Sequence, residues 1–196
     1  MPSHTEKCDY KSEYRYGEIL PMKGSTTNHN QIAGNIYAFL KFALRGQNYR
    51  VFINDIRLWI PRYNLYTYPD VMVIQGEPIY EGTDTTTVMN PSVIIHVSSK
   101  LAHNHKEADK FRFYRSILEF KEYIVIDQDS CYIEQFTKNV QGNWTLTEYE
   151  SFDAVLPFSS IDFQLSFVDI YELVNIESNE DKNTEVSNLK FCLEQF

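Results

Sequence analysis

Cysteine is scarce in this chain: Cys8, Cys131 and Cys192 lie far apart, with no C-x-x-C pair. Neither a disulfide framework nor a zinc knuckle follows from that spacing. Glycine and proline are few, seven of each, which excludes collagen-like and low-complexity classes. No apolar run approaches the roughly 20 residues needed to span a bilayer, so no membrane partner is expected. The stretch MPSHTEKCDYKSEYRYGE is charged and lacks the apolar core of a signal peptide, so a soluble, cytoplasmic protein is the expectation. Basic residues are also in deficit, with 18 Lys and Arg against 27 Asp and Glu and a net charge of −9. That balance disfavours indiscriminate nucleic-acid binding, because phosphate contacts need local positive potential.

What is present describes a globular domain. The 196 residues suit one domain with a real core. Aromatics reach 15%, including 14 Tyr and 13 Phe, so many large side chains have to be buried. Charge is uneven. Between Lys100 and Arg115, the bases Lys100, Lys106, Lys110, Arg112 and Arg115 face only the acids Glu107 and Asp109, with His103 and His105 nearby. A local field of this kind matters more than the total, although taken alone a solvated helix face accounts for it better.

The order of elements reads as helix, strands, helix, strands. EYRYGEILPM (Glu13 to Met22) suggests a strand pair broken near Gly17. Thr26, Thr27 and Asn28 are candidate caps for a helix. Its apolar face is Ile32, Ile36, Phe39, Leu40, Ala43 and Leu44, and Gly46 stops it. Strands are expected at YRVFI, DIRLWIP, TYPDVMVIQ, NPSVIIHVSS, EYIVIDQ, CYIEQFTK and WTLTEYE. The spacing predicts a helix from His103 to Leu118, with Phe111, Tyr114 and Leu118 on one face, and a short final helix in VDIYELV. ESNEDKNTEVSN, from Glu177, reads as an acidic, mobile tail. The expectation is one α/β domain over residues 1–175 with a central mixed sheet flanked by helices, and a tail over 176–196.

One residue breaks pattern. In NPSVIIHVSSK the β-branched Val93, Ile94, Ile95 and Val97 suit a strand buried on both faces, yet His96 sits among them. A core histidine with a hydrogen-bonded neighbour is the plain explanation. The alternative is a site residue, working with Asp70 on the neighbouring strand and a lysine on the helix that follows. A carboxylate, a second ligand and a lysine suit metal-assisted phosphodiester hydrolysis.

The segments GEILPMKGSTTNHNQIAGNI, NLYTYPDVMVIQGEP, NPSVIIHVSS, DKFRFYRSI and FKEYIVIDQD, in this order and spacing, resemble the Uma2 family, formerly the domain of unknown function 820. This family belongs to the PD-(D/E)XK superfamily of restriction-endonuclease-like folds. The resemblance implies a divalent metal, Mg²⁺ or Mn²⁺, DNA as partner, and self-association into a homo-oligomer. It makes Asp70 of YPDV the metal-binding aspartate and Lys110 of DKFRFYR the catalytic lysine. The position two residues after the second ligand, where most of the superfamily keeps its lysine, is Ser98. Glu13 and His29 match an acidic and a histidine position in the N-terminal motif.

Two positions depart from the family pattern. Relatives read E-V-L-S-P-S-T with an aspartate four residues before the helix lysine, whereas this chain reads H-V-S-S-K-L-A. His96 therefore stands at the glutamate position and Lys106 at the aspartate position. Mg²⁺ gains little from an imidazole, and Mn²⁺ or Zn²⁺ tolerates it. Lys100 shares strand parity with His96 and Ser98, and if the strand continues that far an ammonium there would weaken metal binding further or contact a phosphate directly. Two expectations follow: a metal-dependent endonuclease with an altered site, Asp70 and His96 as ligands and Mn²⁺ favoured; or a catalytically inactive nuclease-fold protein that binds nucleic acid or protein. A zinc site using His96, His103 and His105 is a weaker third, because an H-x-H pair diverges on a helix.

Overall fold

Residues 12–15, 18–21, 25–83, 85–99 and 105–176 are described by the computed structural model, with the backbone alone for 12–15, 18–21 and 105–109. A six-stranded sheet forms the centre. Its order is β11 (Trp144–Tyr149), β10 (Ile133–Lys138), β9 (Glu122–Asp127), β8 (Val93–Ser98), β6 (Val71–Gln75) and β3 (Tyr49–Ile53). β8 and β9 run parallel and every other neighbouring pair is antiparallel, so the sheet is mixed.

Both faces of this sheet are covered, which is why β8 and β9 read as almost unbroken apolar runs. On one face lies α1 (Thr27–Ala43), which buries Ile32, Ala33, Ile36 and Leu40 against Val71, Val73, Ile95 and Ile124. The same core takes in the hairpin β12 (Val155–Phe158) and β13 (Phe163–Ser166), and the short α3 (Phe167–Ile170). On the opposite face lie α2 (His105–Tyr114) and a second sheet. That sheet has the order β2 (Glu18–Pro21), β1 (Ser12–Arg15), β5 (Leu65–Thr67), β4 (Arg57–Ile60) and β7 (Thr87–Val88). Leu58, Ile60, Leu65 and Val88 from it pack with Met72, Ile94, Phe113, Tyr114, Phe120 and Tyr123. Each fully buried Ile or Leu in these cores stabilises the fold by about 1.5–3 kcal/mol.

The expected α/β class and central mixed sheet are found, with four local corrections. TYPDVMVIQ is not one strand: β5 ends at Thr67 and β6 begins at Val71. Pro69 has no N–H for a ladder, and the chain passes there from one sheet to the other, so Asp70 precedes its strand. Leu118 does not share the buried face of α2; the helix ends at Tyr114 and Leu118 is 85% exposed, while Phe113 and Ile117 point inward. The final helix is four residues long, capped by Ser166 Oγ accepting from the Asp169 N–H at 3.1 Å. β12 and β13 were not expected, because four-residue strands, the first interrupted by Pro157, carry little periodicity. The expected tail falls outside the described residues from 177 onward. Among the described residues no helix is long and apolar enough to cross a membrane.

A buried carboxylate ties the β12–β13 turn to the sheet. Glu122 opens β9 with no exposed surface. It accepts from Gln135 Nε2 (2.6 Å), from the N–H groups of Ser159 (3.3 Å) and Ser160 (3.2 Å), and from Ser160 Oγ (2.8 Å). Burial pushes its carboxyl up from the ordinary glutamate value, and the surrounding donors offset part of that rise. Glu122→Gln turns an amide NH₂ toward one of these donors. It is expected to cost about 1–3 kcal/mol in urea unfolding; an unchanged midpoint would show that the turn is held by packing alone.

Candidate active site

The first turn of α1 is fixed at both its ends of contact. Thr26 Oγ1 accepts from the His29 N–H at 3.1 Å, capping the helix, and donates to Gln128 Oε1 at 2.7 Å, just beyond β9. Asn28 Nδ2 donates to the Gln128 carbonyl at 3.3 Å and to that of Asn175 at 2.8 Å. The helix start is thereby docked on the end of the central sheet, which sets the direction of His29. Asp70 is placed by the passage from β5 to β6, where its own carbonyl accepts from the Asn54 N–H at 2.8 Å. His96 rides on β8, with Ile95 paired to Val71 on one side and His96 paired to Val125 on the other.

These three side chains meet. The Asp70 carboxylate is 3.3 Å from His29 Nε2 through Oδ1 and 3.3 Å from His96 Nδ1 through Oδ2, and Oδ2 also accepts from the Val97 N–H at 2.9 Å. The far nitrogen of His96, Nε2, is 2.8 Å from the Tyr114 hydroxyl, and the two rings lie nearly parallel. The Tyr123 ring closes another side, nearly perpendicular to the imidazole. Asp70 is 8% exposed, His96 4% and Tyr114 1%. Burial alone would push the Asp70 carboxyl up. Hydrogen bonds from His29 and His96, and the charge those rings carry when protonated, outweigh it and hold the group well below the usual carboxylate range.

Of the residues singled out in the sequence, Asp70, His96 and His29 are brought together. Lys110 is half-buried one turn before Tyr114 on α2, and therefore on the helix face that reaches His96. Ser98 is 8% exposed and two residues beyond His96 on the same face of β8. Glu13 lies in β1, opposite Leu20 of β2, and only its backbone is described. Lys106 belongs to α2 with its side chain outside the described set, as is that of His105; Lys100 and His103 lie wholly outside the described residues. Two residues with a bearing on the site escaped the sequence. Tyr114 reads only as core in the sequence, although its i, i+4 spacing from Lys110 puts both on one side. Asp127, 4% exposed, pairs in register with Ser98 and follows Tyr123 and Val125 in alternation, so it shares the face of His96.

The donor set decides which ions suit this cluster. One carboxylate flanked by two imidazoles fits Mn²⁺ or Zn²⁺ in ligand type and does not fit Mg²⁺, which requires mainly oxygen. His29 and His96 approach different oxygens of Asp70, and among the described residues no three His, Cys, Asp or Glu side chains already enclose a metal position. The depressed carboxyl also predicts a pH signature. Its contribution to stability is fully present above the ordinary aspartate value of 3.8 and is lost as pH falls through the lower folded value. Asp70→Asn is expected to lose about 1–3 kcal/mol near neutral pH. The gap to wild type should narrow in urea titrations below about pH 3; a gap independent of pH would contradict this origin.

Comparison with known proteins bears on the family and the fold. The model of the Uma2 family, described as "Putative restriction endonuclease", matches residues 1–168. The protein sll1609 of Synechocystis is 38% identical over 154 residues, 79% of this chain and 87% of its own length. A second Synechocystis protein, slr1290, is 27% identical over 166 residues, 85% of this chain and 86% of its own. A crystal structure from Anabaena variabilis, titled as "a putative nuclease belonging to DUF820", superposes with a TM-score of 0.69 at 18% identity. It covers 86% of this chain and 93% of the other, and shows a shared fold. With the family model spanning most of its length and a relative of this closeness, the chain belongs to the Uma2 family.

Proposed function

We propose that this protein is a phosphodiester-cleaving nuclease acting on DNA, with its centre at Asp70 and an altered metal preference. The observation that carries the reading is the convergence of His29 and His96, from two separate elements, on the buried carboxylate of Asp70, in a family whose model is described as "Putative restriction endonuclease". Asp70, His96 and His29 are the residues that would hold a nitrogen-tolerant divalent ion. When bound, such an ion lowers the pKa of an attacking water and polarises the phosphate. The chain's own part is to keep Asp70 ionised, to fix the His96 ring against Tyr114, and to offer Lys110 from α2 as a cation for charge developing on the phosphate.

A second reading rests on the same contacts. Both oxygens of Asp70 already accept hydrogen bonds, and His96 is engaged at both nitrogens. A centre closed in this way suits a protein that has kept the nuclease fold and binds nucleic acid without cutting it.

Cleavage of supercoiled and single-stranded DNA in Mg²⁺ and in Mn²⁺ separates the two. Wild type is expected to cut with Mn²⁺ and far less with Mg²⁺, and Asp70→Ala to abolish cutting in both. His96→Glu should restore Mg²⁺-dependent cleavage by at least an order of magnitude, in line with the oxygen preference of that ion. If wild type is inert and His96→Glu cuts, the binding reading holds and catalysis was lost at residue 96. Should none of them cut, the nuclease assignment falls.

A further inference from the structure

We propose that Tyr114 is the positioning residue that lets His96 serve the site in either tautomer, as hydrogen-bond donor to Asp70 or as metal ligand beside it. The half that concerns metal rests on the function proposed above; the half that concerns the resting protein does not.

The argument begins with what each atom can do. An ionised Asp70 has acceptors only, so the His96 nitrogen facing Oδ2 at 3.3 Å, Nδ1, carries the proton in the resting protein. In a neutral ring this leaves Nε2 as a bare lone pair. Nε2 is buried, and a buried acceptor without a donor costs about 1–3 kcal/mol. Tyr114 removes that cost, because its hydroxyl at 2.8 Å donates to Nε2. A cation bound between Asp70 and His96 reverses every requirement. Nδ1 has to present its lone pair, the neutral ring then holds its proton on Nε2, and Nε2–H needs an acceptor. The Tyr114 oxygen is at the same distance and accepts once its hydroxyl rotates. Between these two neutral tautomers, one proton leaves Nδ1 to water and one is taken from water at Nε2.

A hydroxyl can play both parts without moving its oxygen, which few side chains at this position could do. A carboxylate would accept only, and a lysine would donate only. Phenylalanine would preserve the ring contacts of Tyr114 with Phe120 and Tyr123 while serving neither tautomer. An outer partner of this kind orients a ligating imidazole, and its removal is worth about 10–100-fold in metal affinity.

The test is ¹⁵N-histidine NMR at mildly alkaline pH on wild type and Tyr114→Phe, with the His96 signals assigned by their loss in His96→Gln. Metal-free wild type is expected to show Nδ1–H with an unprotonated, hydrogen-bonded Nε2. Addition of Zn²⁺, which is diamagnetic, should move the proton to Nε2. In Tyr114→Phe the resting preference should weaken, and Zn²⁺ affinity measured by competition with a chelating dye should fall by about 10–100-fold. Nε2–H in metal-free wild type, or Tyr114→Phe with an unchanged ¹⁵N pattern and unchanged affinity, overturns the proposal. If wild type takes up no Zn²⁺ while the resting tautomer is Nδ1–H and is lost in Tyr114→Phe, the metal reading of the site falls and the role of Tyr114 in the resting protein stands.

Discussion

A carboxylate buried to the extent of Asp70 carries several kcal/mol of desolvation cost unless its charge is met by donors. Here it is met from three directions: an imidazole at the start of α1, an imidazole on β8, and the backbone N–H of Val97. None of these is close to Asp70 in sequence. The helix start has to be capped and docked on Gln128, and β8 has to lie beside β6 in the observed register. The position of the charge therefore depends on α1, β6, β8 and β9 all being in place, and those elements form the centre of the fold.

The two cores have different duties in this arrangement. Around α1 the core is mostly Ile, Leu and Val, with its rings gathered at Phe158, Phe167 and Tyr171, and it holds the helix whose first turn carries His29. The α2 side is rich in rings: Tyr114 and Tyr123 lie against His96, and Phe113 and Phe120 belong to the same core. An imidazole set among rings finds edge and face contacts that an aliphatic pocket would not supply, and one of those rings brings a hydroxyl to its far nitrogen.

Much of this was legible in the sequence, and for identifiable reasons. α1 announced itself through Thr26 and a long apolar face; β8 and β9 did so through near-continuous β-branched runs. His96 was marked by breaking an apolar run and Asp70 by the YPDV motif on the preceding strand, and their meeting needed only the pairing of two neighbouring strands. What could not be read was anything set by the third dimension alone. The division of TYPDVMVIQ between two sheets depends on where the chain crosses the core at Pro69. The end of α2 at Tyr114 is likewise fixed by tertiary packing, since Leu118 continues the helical spacing and yet faces solvent. The partner of His96 Nε2 came from a tyrosine that the pattern filed with the core, because periodicity records which face a side chain takes and not what its terminal atom touches.

β8 is buried along its whole length and is paired with β6 on one side and β9 on the other. A backbone clamped in this manner cannot shift to suit a new side chain. Whatever stands at position 96 projects from the same Cα, in the same direction, toward the same carboxylate. The strand thus behaves as a fixed socket, in which chemistry can be exchanged by changing the occupant and its neighbours on α2 while the frame stays unaltered. Divergence at such a position alters which hydrogen bonds Asp70 receives long before it alters the shape of the protein.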